Sequence, residues 1–129
     1  MQILLDTQIL LWAVASSELL SEKARQLLTD SGNDIFFSPA SLWEVTIINS
    51  LNRSDFQVDS RILRHRLLGG DFREIAITGL HATAVGDLPL LRKDPFDRLL
   101  LAQAKTEGLS LLTTDAALSA YPAPVIQVH

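Results

Sequence analysis

Short apolar runs standing alone between longer helical stretches constrain this chain more than any other feature. Ile3-Leu4-Leu5, Ile35-Phe36-Phe37, Glu74 to Ile77, Ser110 to Thr113 and Pro124 to Val128 all have strand length. Helical signals fill the gaps. Thr7 to Ala15 reads as a short helix or turn. Ser21 caps a helix from Glu22 to about Thr29 that turns Leu27 and Leu28 inward. Ser38-Pro39 opens one carrying Leu42, Trp43, Glu44, Val45, Ile47 and Ile48. Ile62, Leu63, Leu67 and Leu68 mark another from about Ser60 to Leu68, stopped by Gly69-Gly70, and Thr78 caps one through His81, Ala82 and Ala84. Ser31 to Asp34 is a turn, Asn49 to Asp55 a polar loop, Gly86 to Lys93 a connection, and Asp115 to Ala120 a helical turn. Strands alternating with helices imply an α/β fold: a mainly parallel sheet of four to five strands, covered on both faces as a three-layer α/β/α sandwich. At 129 residues, with no repeat and no linker, residues 1–129 form a single domain.

The most informative helix begins at Asp94-Pro95. A short carboxylate caps free N–H groups, and proline suits the first helical position. Asp97 falls in the first turn, followed by Leu99, Leu100, Leu101, Ala102 and Ala104, apolar nearly all round, with Gly108 as the stop. Two carboxylates thus stand at the mouth of a helix that is otherwise core. Capping and the helix dipole explain that much without any function.

The remaining acids extend the pattern. In parallel α/β sheets the ligand site lies beyond the carboxyl ends of the strands. Asp6 and Asp115 each follow a strand, so both belong at that rim. The two proline-marked helices start near it, which brings Glu44, Asp94 and Asp97 within reach. Converging carboxylates repel unless protons or a cation relieve them. With no cysteine and only His65, His81 and His129, the donors are oxygens, which suit Mg²⁺ or Mn²⁺ rather than zinc. Such ions hydrolyse phosphodiesters through activated water. The net charge of −4 argues at first against a nucleic-acid partner. Setting four metal-bound acids aside, however, leaves 11 acidic residues against 11 basic ones.

The absence of cysteine also excludes disulfides and fits a reducing compartment. Met1 to Ala15 is apolar but lacks a basic leader and is interrupted by Asp6, and no uncharged run approaches a membrane span. The expectation is a soluble, cytoplasmic protein.

The ordered segments Leu4-Leu-Asp-Thr7, Ser38-Pro-Ala-Ser-Leu-Trp-Glu-Val45, His81-Ala82 with Leu88-Pro89, Asp94 to Ala104, Glu107-Gly-Leu109 and Leu112-Thr-Thr-Asp115 span nearly the whole chain. In this set the chain resembles the PIN-domain family, specifically the VapC-like ribonuclease toxins of bacterial toxin–antitoxin modules. The resemblance implies a PIN-like fold and an Mg²⁺- or Mn²⁺-dependent endoribonuclease. Asp6, Glu44, Asp97 and Asp115 would be its metal-binding, catalytic quartet, with Asp6 and Asp97 the principal ligands. Asp94 and Thr113 would support that quartet from behind. The resemblance also implies a homodimer and a cognate antitoxin whose tail occupies the acidic groove. Many relatives carry histidine where this chain has Gln8 and Arg92.

Arg92, Lys93 and Arg98 flank the acids and are candidate RNA contacts. Arg61, Arg64, His65 and Arg66 read as a solvated basic helix face, and His81 as a packing histidine. Trp12 and Trp43 are expected in the core or a dimer interface rather than as base-stacking platforms. Glu44 has a structural alternative in an ion pair with Arg98 or Lys93. Two other readings compete with the nuclease: a non-catalytic PIN-like binding module, and an acidic-pocket phosphoryl receiver. The second needs a further acid beside Asp6, where the chain offers Thr7-Gln8.

Overall fold

The computed structural model describes residues 1–51, 58–91 and 93–129. Within them five strands, β1 (Gln2–Leu5), β2 (Asp34–Phe37), β3 (Arg73–Glu74), β4 (Ser110–Thr113) and β5 (Val125–Gln127), form one sheet in the order β3-β2-β1-β4-β5. All four pairings are parallel, with Leu4 opposite Phe36 on one side and Leu111 on the other. Among the described residues six helices accompany them: α1 (Thr7–Ala15), α2 (Glu22–Thr29), α3 (Pro39–Ser50), α4 (Ser60–Gly69), α5 (Gly79–Ala84) and α6 (Pro95–Glu107). Short 3₁₀ turns cover Ser17–Leu19, Val85–Asp87 and Ala116–Ala120.

The pleat of the central strands builds two cores. Ile3 and Leu5 of β1, Ile35 and Phe37 of β2 and Leu112 of β4 point to one face. There they pack with Ile9 and Leu10 of α1, Ala24 of α2 and Leu63 and Leu67 of α4. The alternate residues Leu4 and Leu111 point to the other, against Leu100, Leu101, Ala102 and Ala104 of α6 and Leu118. A parallel strand buried on both faces needs an unbroken apolar run, which these short strands supply. The result is the three-layer sandwich expected from the sequence.

Two boundaries differ from that expectation. The polar segment from Asn49 is helical through Ser50: Ser50 Oγ donates back to Ile47 O at 2.7 Å, and Asn49 Nδ2 donates forward to Val58 O, tying the end of α3 to the residues before α4. The rest of the expected loop, from position 52 to Asp55, lies outside the described residues. The third strand is shorter than Glu74 to Ile77. Ile75 N donates to Phe37 O at 2.9 Å, and there β2 ends as Ser38-Pro39 turns into α3, so the following residues have no strand to pair with. On α4 only Leu63 and Leu67 are buried, while Ile62 and Leu68 are exposed.

Chain order fixes where a ligand belongs. From β1 the chain winds outward through β2 to β3, then crosses to β4 on the opposite side of β1. The crevice between the carboxyl ends of β1 and β4 is therefore the switch point of the sheet.

Candidate active site

Asp6 stands at that crevice. Its backbone N–H continues the ladder to Leu112 O at 3.1 Å, and its side chain caps α1, Oδ1 accepting from Ile9 N at 2.8 Å. Oδ2 accepts from the Thr113 hydroxyl at 2.5 Å. The carboxylate is buried, 7% exposed. Burial raises its pKa above the ordinary aspartate range and the negative charge of Asp115 adds to the rise. Hydrogen bonds from Thr113 and from the Ile9 and Gln8 backbone oppose it.

Thr113, the last residue of β4, also accepts from Asp115 N at 3.0 Å. One buried hydroxyl thus ties the ends of β1 and β4 together. Asp115 in turn caps the turn Ala116–Ala120, its Oδ1 accepting from Ala117 N at 3.0 Å.

Glu44 reaches the same region from α3. Thr7, the first residue of α1, gives its single hydroxyl proton to Glu44 Oε1 at 2.6 Å and lies 3.0 Å from the Ser41 hydroxyl. Ser41 and Glu44 are three apart on α3, so they share a face. Burial raises the Glu44 pKa first. The charges of Asp94 and Asp6 raise it further, while the Thr7 hydrogen bond pulls it down. The alternative pairing of Glu44 with Arg98 is not the arrangement adopted. Arg98 donates to the carbonyls of Pro89 at 2.9 Å, Val85 at 3.1 Å and Leu88 at 3.4 Å. The same bonds tie up the guanidinium that the sequence suggested for RNA, and clamp the Val85–Pro89 segment to the start of α6.

Asp94 caps α6 as its sequence requires, Oδ1 accepting from Phe96 N at 2.9 Å and Asp97 N at 3.4 Å. Asp97 is half-buried in the first turn of that helix. Electrostatics thus link Asp6 with Asp115, and Glu44 with Asp94 and Asp6. Asp97 contacts Asp94 through its backbone N–H, and the charge of its own carboxylate is not among those that shift Asp6 or Glu44. Among the described residues, no three or more His, Cys, Asp or Glu side chains come together in an arrangement that could hold a metal ion. Lys93 is exposed beside Asp94, and Arg92 lies outside the described residues.

Other expected roles resolve locally. His81 is buried at 1% exposure. Its Nδ1 accepts from Thr78 N at 3.0 Å, which leaves the ring proton of the neutral form on Nε2, 2.7 Å from Glu107 Oε1. It is a packing residue that joins α5 to the end of α6. Arg64 of the basic helix face pairs with Glu74 at 2.7 Å. Trp12 packs against the core, but Trp43 does not: it is 61% exposed, its indole meeting Phe96 edge-on. The Thr7–Ser41 pair behind Glu44 was not anticipated from the sequence, although the three-residue spacing of Ser41 and Glu44 marks it.

Solved structures share this architecture over almost their full length. The chain is similar to VapBC2 from Rickettsia felis bound to a promoter DNA fragment, with a TM-score of 0.73, 18% identity and 98% of each chain covered. It is similar to a toxin–antitoxin complex from Klebsiella pneumoniae, with a TM-score of 0.62, 22% identity, and 97% of this chain and 96% of that one covered. A third is VapC20 of Mycobacterium tuberculosis, a toxin that cleaves the sarcin–ricin loop, with a TM-score of 0.58, 22% identity, and 92% and 93% covered. No curated protein sequence matches the chain. The family model of the PIN domain matches residues 3–124, from the first residue of β1 buried in the core to the threshold of β5. With the order of its acids, the parallel sheet and this match in agreement, the chain belongs to the PIN domain family.

Proposed function

We propose that the chain is an Mg²⁺- or Mn²⁺-dependent endoribonuclease acting in the cytoplasm as the toxin of a toxin–antitoxin pair. One observation carries the reading: the described charges that perturb Asp6 and Glu44 are those of other carboxylates. A folded chain that gathers mutually repelling acids at the switch point of its sheet is built for a divalent cation. The donors fit such an ion. They are hard oxygens, and magnesium prefers one or two carboxylates with water completing its shell, so a closed protein cage is not required. Asp6 and Asp97 would hold the ion, with Glu44 and Asp115 completing the site directly or through water. A bound divalent ion supplies positive charge that lowers the pKa of water and stabilises charge developing on a phosphodiester.

The chain's own groups have separate tasks. Thr113 holds Asp6 in one rotamer and fixes its distance to Asp115. Thr7, with Ser41 behind it, aims Glu44. Asp94 fixes the turn that presents Asp97. Lys93, exposed just before Asp94, would meet a phosphate. The toxin–antitoxin neighbours support an antitoxin as partner, and we propose a homodimer with it. No helix among the described residues is long and apolar enough to cross a membrane.

The test is cleavage of total cellular RNA, with mapping of the cut sites, in Mg²⁺, in Mn²⁺ and in EDTA. Cleavage by the parent that stops in EDTA and in Asp6→Asn or Asp97→Asn is expected. Undiminished cleavage by either variant overturns the assignment. Capture of a phosphoryl group on incubation with a phosphoryl donor, read by intact mass, would point to the receiver reading instead.

A further inference from the structure

Among the described residues, Trp43 is the large aromatic that the fold leaves in water. Tryptophan is highly buried on average, yet this one is 61% exposed. It directly precedes Glu44 on α3 and meets Phe96 on α6, the residue directly before Asp97, with ring centroids 5.3 Å apart and planes at 73°. The edge-on contact therefore crosses the seam between the two helices that deliver Glu44 and Asp97. It fixes the indole while leaving much of its surface open.

Beyond Lys93 and the bound cation proposed above, the chain's own charge gives the site little hold on a polyanion. The chain carries a net −4. Arg98 is bound to backbone carbonyls, Arg64 to Glu74, and Arg73 lies 3.6 Å from Asp34. Single-stranded nucleic acid has a second handle, the faces of its unpaired bases, which stack on exposed aromatic rings. Building on the nuclease reading above, we propose that Trp43, propped by Phe96, is the platform on which an unpaired RNA base stacks beside the phosphodiester to be cut. Trp43 thereby limits the substrate to RNA whose base at that position is free of a helix.

The test uses a short, mixed-sequence, unstructured RNA pool and the full chain carrying Asp97→Asn, so that RNA binds uncut. Trp12→Phe leaves Trp43 as the sole tryptophan, excited at a wavelength that Tyr121 does not absorb, since the chain has two tryptophans. RNA should quench Trp43 emission. Trp43→Leu, which keeps apolar bulk but has no aromatic face, should weaken binding roughly 5- to 150-fold, the range expected for one stacked base, whereas Trp43→Tyr retains most of it. The salt dependence of binding should be shallow, because few phosphates are neutralised. With Asp97 restored, Trp43→Leu should raise KM and leave kcat and the melting temperature near those of the parent.

Unchanged binding and KM in Trp43→Leu, or no quenching, overturns the proposal. So does a dimer-to-monomer shift in Trp43→Leu without loss of RNA affinity, which would assign the face to a second copy of the chain. A parent that cleaves no RNA defeats the nuclease reading and this proposal with it. A parent that cleaves RNA beside a Trp43→Leu variant of unchanged KM defeats the stacking alone.

Discussion

At the scale of single residues, the carboxylates of Asp6, Glu44, Asp94 and Asp115 are each held by a hydroxyl or a backbone N–H. Thr7 and Thr113 matter because a buried carboxylate that loses its donor keeps the desolvation cost without the compensation. Thr7→Val removes the 2.6 Å bond to Glu44 while keeping the shape of the side chain. A hydrogen bond to a charged group contributes about 1.5–3 kcal/mol, so the Glu44 pKa should climb further. The acid limb of the pH–rate profile should then move to higher pH, and Thr7→Ser should restore it. Asp6 and Asp115 were legible in the sequence because each ends an apolar run. Thr7 and Ser41 were not, because hydroxyls are common and their meaning depends on α1 lying against α3. The exposure of Trp43 was hidden for a related reason: α3 is apolar around most of its circumference, so its sequence does not say which side stays in solvent.

At the scale of elements, α6 depends on its two ends. Asp94 caps the first turn with its carboxylate, and Gly108 closes the last at φ 69° with its N–H bonded to Ala104 O. Asp94→Ala should cost about 1 kcal/mol of stability, measured by urea unfolding, and should lower cleavage as well because the cap fixes the turn bearing Asp97. Gly108→Ala should cost a similar amount, about 1 kcal/mol, for a purely conformational reason, with cleavage nearly unchanged. A Cβ there meets nothing within 4 Å, so the left-handed backbone alone sets the penalty. Both caps were readable because they rest on local chemistry. The ends of α3 and β3 were less so. The helix continues through polar residues whose side chains bond to carbonyls of Ile47 and Val58, and the strand stops where its neighbour turns away. Neither event is local to the residues concerned.

At the scale of the molecule, the parallel sheet places its switch point between β1 and β4, and the fold directs acids distant in the chain toward that crevice. The three-layer architecture was legible because apolar strands and capped helices alternate from one end of the chain to the other. The packing of two separate cores followed from the pleat. The sign of the pH dependence follows from the raised pKa values of Asp6 and Glu44. A carboxyl whose folded pKa lies above its unfolded one contributes stability at acid pH that is lost as pH rises through the folded value. In the metal-free protein these two groups therefore oppose folding at neutral pH, where a bound cation would reverse their effect. The most direct measurement is the thermal unfolding of the parent and of Asp6→Asn at neutral pH, in EDTA and in Mg²⁺ or Mn²⁺. The parent should be less stable than Asp6→Asn in EDTA. It should gain up to about 2.7 kcal/mol at a metal concentration a hundred times Kd, a gain the variant lacks. Equal metal responses in the two proteins, or a parent indifferent to both ions, would contradict a cation site built around Asp6.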